Sequence, residues 1–279
     1  MSAITPEDVV DSASISAASA KRKPLWQVAL RNPFVIIGGF IMLVMVAIAV
    51  LAPVLGTVDP TRIDPAARNK KPGTEVTYRL DDGKTAKRVA IFGTDSLGRD
   101  VYSRVIYGTR VSLAVGVAVA ILAIAIGTMI GLISGYVRWL DGIIMRIMDG
   151  LMAIPGILLA IALVSIWRAG LITVIFAIVV PDVPRVVRLV RSIVLTVREE
   201  PYVEGAISVG TPTWVLMFRH ILPNTVAPLI VQGTFICALA VILEASLSFL
   251  GVGTPPETPS WGNIDDSQPN DWELIETVI

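Results

Sequence analysis

The sequence predicts an all-α fold in the form of a polytopic transmembrane helix bundle. Of its 279 residues, 54% are hydrophobic and 16% are charged, and the mean hydropathy is +0.72, which lies outside the range of ordinary soluble domains. Two segments, residues 34–58 and 111–137, carry no charged side chain and exceed the roughly 20 residues that a membrane-crossing helix needs. Three further apolar segments, which contain charged residues or prolines, bring the predicted number of crossings to five.

Residues 1–32 predict a cytoplasmic N-terminal tail. Its first part is rich in Ser, Ala and acidic residues without a period, which is typical of a disordered segment. Four basic residues then precede the first predicted transmembrane helix, residues 33–58, and they are Lys21, Arg22, Lys23 and Arg31. Positive charge before a first helix favours a cytoplasmic N-terminus. The first thirty residues show no compact apolar run with a small-residue cleavage site, so we expect this helix to remain as an anchor.

Residues 59–110 are predicted to form an extracytoplasmic loop. Residues 78–79 and 89–92 flank Asp82 and Gly83, a pattern that predicts a small β-hairpin. Further on, an apolar face and a charged face predict a short amphipathic helix at the membrane surface. The apolar face holds Leu97, Val101 and Val105, and the charged face holds Arg99, Asp100 and Arg104. An ordinary connector helix explains this pattern equally well.

Three glycines in the predicted core, residues 111–250, indicate a close helix contact. Gly127, Gly131 and Gly135 recur at every fourth residue, which leaves one helix face flat and lets another backbone approach. We therefore expect this face to pack on a neighbouring helix. The alternative is that these glycines have no packing role, because Gly is common in membrane helices.

Polar residues and prolines inside the apolar segments are candidates for lining a path through the bundle. Asp149 and Pro155 lie in the third segment, residues 143–167, where a proline removes a backbone hydrogen bond and kinks the helix. Asp182 lies in the sequence PDVP, residues 181–184, which predicts a broken fourth helix in the bundle interior.

Glu244 interrupts the fifth apolar segment, residues 225–250. A carboxylate deep in a membrane helix is costly and faces a partner or a wet pathway. Both a structural, hydrogen-bonded role and a path-lining role therefore stay open. Residues 251–279 carry six acidic residues and no basic one, and we expect them to form an extracytoplasmic C-terminal tail.

A bent two-helix loop, which we call the knob, is predicted between the fourth and fifth segments. It covers residues 199–224 of a cytoplasmic loop, residues 196–224. Three arginines mark the cytoplasmic end of the fourth helix just before it, namely Arg185, Arg188 and Arg191. Pro201 is allowed in the first turn of a helix, and Gly210 can take the left-handed conformation that stops that helix.

The second helix of the knob is predicted from capping residues. Thr211 supplies an N-cap, Pro212 a first helical residue, and Pro223 is expected to close the helix. Its apolar residues are expected to share one face, and they are Trp214, Val215, Phe218, Ile221 and Leu222. We therefore expect the knob to be a contact site on the surface of the protein.

The knob resembles the EAA loop of bacterial ABC importer permeases. That pattern reads E-A-A, three residues, G, nine residues, and I-x-L-P. The residues that stand at its positions are Glu204, Gly205, Ala206, Gly210, Leu222 and Pro223. Gly205 replaces the middle alanine, and His220 stands where the isoleucine belongs, although Ile221 follows it. Neither departure abolishes the bend.

Four separated motifs resemble the dipeptide, oligopeptide and nickel permease family, and specifically its C-type subunit. They are GTDSLGRDVYSRVIYGTRVSL at 93–113, RHILPN at 219–224, LSFLGVG at 247–253 and PSWGN at 259–263. They occur in the family's order and span most of the chain after residue 91. The family has a sixth helix after these motifs, and we expect residues 272–279 to leave it missing or only begun.

The resemblance implies a transport subunit and not an enzyme. The implied partners are one or two ABC ATPase subunits that hold the knob in a surface groove, a second homologous permease, an extracytoplasmic substrate-binding protein and membrane lipid. The implied location is the bacterial inner membrane. Di- or oligopeptides are the implied substrates, with nickel or another metal chelate as the alternative.

The residues themselves give no sign of chemistry in this chain. The sequence contains no GxxxxGK[ST] phosphate loop, so ATP and Mg²⁺ are expected on the partner ATPase. We expect no catalytic residue, no metal and no cofactor here. The formal net charge of zero gives no indication of nucleic-acid binding.

Two rival functions come from other classes. An intramembrane enzyme is disfavoured, because the single histidine, His220, lies in the loop and no nucleophile, base and orienting group converge in sequence. An ion-coupled secondary transporter would use three carboxylates as a relay, namely Asp149, Asp182 and Glu244, but we find no internal repeat of the kind such folds often carry. Co-purification separates these functions, since only the importer requires an ATPase and a second permease.

Overall fold

The computed structural model describes residues 31–79, 85–167 and 170–265, and these are mostly helical. The chain divides into two compact units, Met1–Ile48 and Ala49–Ile279. Most of the predicted N-terminal tail and the segment predicted to hold the start of a sixth helix lie outside the described residues.

Helix α1, Pro33–Leu51, is the first predicted membrane helix. The side chain of Asn32 accepts the Phe34 N–H at 3.0 Å, and this bond caps the helix start. A 3₁₀ turn at Ala52–Val54 ends the helix, since Pro53 has no N–H to donate to the helical ladder. The helix therefore ends before the predicted limit at residue 58.

The predicted hairpin is present in the second unit. Strands β1, Thr74–Arg79, and β2, Thr85–Ala90, pair antiparallel over their full lengths. The hairpin buries Val76 in a small apolar cluster. β2 begins and ends earlier than the predicted segment 89–92, and the predicted turn at residues 82–83 lies outside the described part of the chain.

Helix α2, Val101–Tyr136, runs for 36 residues. Asp100 caps its start by accepting the Ser103 N–H at 2.8 Å. The predicted separate surface helix is therefore wrong, because residues 101–105 form the first turn of this long helix.

The charged residues at the start of α2 point inward. Arg99 is 4% exposed and Arg104 is 0% exposed, so the face predicted to meet solvent is buried as well. Arg99 forms an ion pair with Asp95 at 2.6 Å. Buried charges persist only where they find such partners, and these partners were not apparent from helical periodicity.

Helices α3, Arg138–Ala153, and α4, Gly156–Ile166, meet at a bend of 92°. Pro155 stands at this bend, and we call residues 154–155 the elbow. The predicted kink is in fact a complete break. Pro155 donates no N–H to the preceding turn, and its ring clashes with the carbonyl four residues earlier.

Helix α5, Leu171–Arg198, runs unbroken through Pro181 and Pro184. The predicted break in the fourth helix is therefore wrong. One side of α5 is buried along its length, from Val174 to Val197. Each proline removes one backbone hydrogen bond, but a helix packed against its neighbours tolerates that loss because tertiary contacts override propensity.

Helix α6, Pro201–Ser208, forms the first arm of the knob, and the short α7, Thr213–Val215, begins the second arm, which extends to residue 224. A π-helical stretch, Leu216–Ile221, and helix α8, Leu222–Phe249, continue directly from α7. The prediction that Pro223 closes the second helix is therefore wrong. Because the π turn ends just before it, Pro223 falls in the first turn of a new α-helical segment, where a missing N–H is tolerated.

A short cap covers the end of the bundle where α2 begins and α8 ends. It consists of residues 251–260 and helix α9, Trp261–Asp265, which packs on both α2 and α8. The indole N–H of Trp261 donates to the Val105 carbonyl at 3.3 Å.

Three helical stretches among the described residues are long and apolar enough to cross a membrane: Pro33–Val54, Val101–Tyr136 and Thr213–Phe249. The bent pair α3 and α4 makes a fourth if it counts as one span. Helices α2, α5 and α8 share one apolar core, whose fully buried members include Val115, Val186 and Ile236. The described fold is therefore a polytopic helix bundle with one small hairpin.

Candidate functional site

Three glycines of α2 lie against α5. An added Cβ at Gly127 would stand 2.5 Å from the Val186 Cβ, and one at Gly131 would stand 2.7 Å from the Val190 Cβ. Gly135 repeats this contact further along the helix. We call these three residues the glycine ridge. Because separations below 3 Å leave no room for a side chain, the ridge allows the two backbones to approach closely.

The bend of the knob is built on Gly210, whose φ is 80°. Its N–H donates to the Ile207 carbonyl at 2.9 Å, and the Thr211 N–H donates to the Ala206 carbonyl at 3.1 Å. This pair of bonds is a Schellman motif, which requires a left-handed residue and usually a glycine. The predicted left-handed conformation of Gly210 is confirmed. The second arm starts one residue later than predicted, because Pro212 holds the N-cap position.

Polar and aromatic contacts join the two arms of the knob. Asn224 Nδ2 donates to the Tyr202 hydroxyl at 3.1 Å and to the His220 carbonyl at 2.7 Å. The rings of Tyr202 and His220 lie 6.3 Å apart between centroids. Val203 and Ile221 are fully buried. The relative orientation of the arms is therefore held from within the knob.

The outer surface of the knob exposes several large apolar side chains. Val209 is 82% exposed, Trp214 68% and Phe218 60%. The predicted single apolar face is wrong in part, since Ile221 is buried while Trp214 and Phe218 are not. The π turn changes the number of residues per turn, so side chains that share a face in an α-helix separate here. An exposed apolar surface of this kind indicates a contact site.

The residues that match the EAA pattern lie in both arms and in the bend. Glu204, Gly205, Gly210 and Pro223 are exposed, and Ala206 and Leu222 are half-buried against the apolar core. The pattern therefore combines exposed positions with positions that anchor the knob to the bundle.

Two of the path candidates line one open groove. Pro155 and Asp182 contribute to a groove of about 400 Å³ whose walls come from α3, the elbow, α4, α5 and α8. Arg185 also lines the groove and donates to Asp182 Oδ1 at 3.1 Å. The sequence pattern places Arg185 only at the cytoplasmic end of its helix. A signal was present, because residues three apart on a helix are neighbours.

Asp149 forms an ion pair with the next arginine of α5. Arg188 Nη2 lies 2.5 Å from Asp149 Oδ1, and Arg191 Nη2 donates to Asp141 Oδ2 at 2.6 Å. The hydroxyl of Ser134, on α2, also donates to Asp141 Oδ1 at 2.7 Å. The arginine contacts link α3 to α5, and the serine contact links α3 to α2. The arginines therefore pair with specific carboxylates, a role that the sequence interpretation missed.

Glu244 is fully buried among hydroxyl groups. Ser248 Oγ donates to its Oε1 at 2.8 Å and Thr254 Oγ1 donates to the same oxygen at 3.2 Å. Ser112 Oγ reaches Oε2 at 3.4 Å. The carboxylate thus ties α8 to α2 and to the cap. These contacts favour the structural role for Glu244 over the path-lining one.

Glu244→Leu is expected to destabilise the protein by about 3 kcal/mol or more, because each buried hydroxyl that loses its acceptor costs about 1–3 kcal/mol. Glu244→Gln is the matched control, since it keeps the size and one acceptor oxygen. Thermal unfolding in detergent compares the two variants. An unchanged melting temperature for Glu244→Leu would contradict the structural role.

A second buried polar cluster was not predicted. Arg104 Nη2 donates to Asn263 Oδ1 at 3.0 Å, and Arg99 Nη1 donates to the Pro256 carbonyl at 2.8 Å. Asn263 Nδ2 also donates to the Thr258 carbonyl at 2.6 Å. These bonds fasten the cap to the start of α2. The partners of the two arginines lie more than 150 positions further along the sequence, so local pattern gave no indication of them.

A polytopic helix bundle with an open groove and an exposed two-helix knob is consistent with a membrane transport permease, and similarity to known proteins gives the family. The chain belongs to the family described as the binding-protein-dependent transport system inner membrane component, whose model matches residues 123–269. A second model, the N-terminal transmembrane domain of oligopeptide transport permease C, matches residues 24–72. The resemblance to a C-type permease is confirmed by both matches.

Named relatives agree with the family. A probable peptide ABC transporter permease of Sinorhizobium fredii is 48% identical over 238 residues, which cover 85% of this chain and 77% of the relative. A glutathione transport system permease of Pectobacterium atrosepticum is 40% identical over 242 residues, with 86% and 76% covered. A dipeptide transport system permease of Alkalihalophilus pseudofirmus is 39% identical over 235 residues, with 84% and 73% covered.

Family membership places the chain among multi-pass proteins of the inner membrane. It is a transport permease subunit. An ABC permease also implies an ATPase and a substrate-binding protein as partners.

Proposed function

We propose that this chain is a permease subunit of an ATP-driven importer of di- or oligopeptides. The names of the relatives support peptides as the substrate class and favour them over nickel or another metal chelate. The observation that carries the coupling mechanism is the exposed apolar surface of the knob, held in one shape by the Schellman motif at Gly210.

The knob couples this chain to one or two separate ATPase subunits, which bind ATP and Mg²⁺. Its apolar surface fits an apolar groove on such a partner, because burying the side chains of Trp214 and Phe218 releases water from them. α6 follows α5 directly, and α8 continues from the second arm. Movement of the ATPase is therefore transmitted into two helices that line the groove.

A second homologous permease completes the translocation path. The groove is open at the surface of this chain, and a second permease would supply the facing wall of a channel. This chain thus supplies half of the path, with Pro155 and Asp182 as its path-lining residues. Glu244 and Asp149 have structural roles instead, because their bonds hold neighbouring helices together.

The proposed topology has five crossings. α5 is the additional one, because its 28 residues correspond to about 42 Å at 1.5 Å per residue, more than the roughly 30 Å of hydrocarbon. Three of its arginines, Arg185, Arg188 and Arg191, have carboxylate partners within the protein. Residues 1–32 and 196–224 are then cytoplasmic, and residues 59–110 and 251–279 are extracytoplasmic.

Cysteines placed one at a time at Ser14 and Ser267 test this topology, in a background where the native Cys237 is replaced. An impermeant thiol reagent applied to intact cells is expected to label the cysteine at position 267 and to spare the one at 14. Labelling of position 14 alone would show that the orientation is opposite to the proposed one. Cell lysis before labelling is the control that both thiols are reactive.

The ion-coupled alternative receives less support. Its relay would need Asp149, Asp182 and Glu244 to be bonded to one another, yet each carboxylate has another partner. Asp182 is paired with Arg185, Asp149 with Arg188, and Glu244 accepts from Ser248. A relay requires groups that pass a proton between them within hydrogen-bond reach.

Reconstitution tests the proposed function directly. The chain is co-expressed with its second permease and ATPase, purified as a complex and placed in vesicles with the substrate-binding protein. We expect ATP-dependent uptake of labelled dipeptides, and no uptake when the ATPase subunit is omitted. Uptake by this chain alone would favour the secondary transporter.

A further inference from the structure

The groove contains one charged pair in otherwise largely apolar surroundings. Its lining includes leucine, isoleucine and methionine side chains from α3, the elbow and α8. The charges are those of Asp182 and Arg185, and their side chains are 10% and 48% exposed. Asp182 lies about 16 Å along α5 from Leu171, at 1.5 Å per residue, and therefore near the middle of the proposed crossing. A charged group at this depth indicates a functional site by default.

The other ion pairs of α5 differ from this one. The partners of Arg188 and Arg191 lie on α3, so those pairs join two helices. The partner of Arg185 lies on its own helix, one turn earlier. A pair within one helix adds little to tertiary structure, and an exposed pair of this type contributes about 0.3–0.5 kcal/mol. Packing of the bundle therefore does not explain why two charges stand in this groove.

We propose that Asp182 and Arg185 recognise the two charged ends of a short peptide during its passage, with Asp182 receiving the ammonium group and Arg185 the carboxylate. This inference rests on the proposed function. A zwitterion that enters an apolar path loses water from both charges, and that loss is costly unless each charge finds a partner. The resting ion pair exchanges partners with the peptide, so neither the protein nor the substrate leaves a charge unpaired.

The chemistry of the pair suits both groups. A guanidinium has five N–H donors in a planar fork that matches a carboxylate, and one nitrogen of Arg185 is engaged with Asp182. The groove volume of about 400 Å³ falls within the range of about 300–1,000 Å³ that is typical of small-molecule sites.

The spacing of the pair favours short peptides. Residues three apart on a helix have Cβ atoms about 5–6 Å apart, and long side chains extend that reach. An extended dipeptide spans about 7 Å and a tetrapeptide about 14 Å, at 3.3–3.6 Å per residue. Both ends of a dipeptide can therefore meet the pair at once, whereas those of an extended tetrapeptide cannot.

Uptake of end-modified peptides by the reconstituted complex tests the proposal. The probes are alanyl-alanine, its C-terminal amide and its N-acetyl derivative, each at a concentration that saturates the binding protein, so that the rate reports the membrane step. Arg185→Gln is expected to abolish the preference for the free carboxylate over the amide, a change of about tenfold or more. It should retain the preference for the free amine. Asp182→Asn is expected to abolish the preference for the free amine over the N-acetyl derivative and to retain the preference for the free carboxylate.

Arg188→Gln is the matched control, one turn further along α5 and paired outside the groove. It should lower uptake of all three probes by a common factor, as any purely structural change would. If Arg185→Gln and Asp182→Asn also lower all three equally, or change none, the recognition proposal is overturned while peptide import stands. If the wild-type complex takes up none of the probes, the proposed function fails and this inference fails with it.

Discussion

Gly131→Leu is expected to cost about 3 kcal/mol or more of stability and to reduce assembly of the bundle. The Cβ alone would lie 2.7 Å from the Val190 Cβ and 2.9 Å from the Val187 carbonyl oxygen. Backbone and a β-branched side chain cannot move aside cheaply, so α2 and α5 must separate. Overpacking of a well-packed core typically costs about 1–3 kcal/mol. The cost of inserting a side chain between two backbones is expected to lie at or above the upper end of that range.

The matched control for Gly131→Leu is Gly142→Leu on α3. An added Cβ at Gly142 meets no atom within 4 Å, so the same substitution should leave the melting temperature in detergent nearly unchanged. Size-exclusion chromatography of the complex measures assembly for both variants. Equal melting temperatures and equal assembly for the two variants would remove the close-packing role of the glycine ridge.

Features that depend on local rules were predictable from the sequence. The glycine ridge follows from a four-residue spacing, which places small residues on one helix face whatever the partner is. The left-handed Gly210 follows from a similar argument, because a helix stop before a second helix requires a conformation that glycine adopts freely. The elbow at Pro155 was also predictable, although not the size of the bend.

Features that depend on distant partners were not predictable. Pro181 and Pro184 do not break α5, because burial along the whole helix outweighs two missing backbone bonds. Arg104 is buried, because Asn263, far along the chain, accepts its hydrogen bond. The π stretch before Pro223 leaves no signature in the apolar pattern, and it changed both the predicted helix end and the predicted apolar face.

Gly210→Val is expected to abolish coupling while leaving the bundle intact. No atom lies within 4 Å of an added Cβ at this position, so crowding plays no part. The cost is conformational: φ is 80°, and a β-branched residue is strongly disfavoured there, by about 1–2 kcal/mol or more. The Schellman bonds would open, and α6 with Glu204 and Ala206 would point away from its proposed partner.

Reconstituted vesicles that contain the partner subunits provide the measurement for this variant. Substrate-stimulated ATPase activity and peptide uptake should fall together by at least about tenfold. A cost of about 1.4 kcal/mol to the bent conformation changes its equilibrium with misaimed conformations tenfold, and only the bent conformation engages the ATPase. The binding protein should keep its ligand affinity. Gly210→Asn is the matched control, since asparagine tolerates the left-handed conformation, and it should retain most of both activities. Normal uptake with normal ATPase stimulation in Gly210→Val would show that the knob is only a connector.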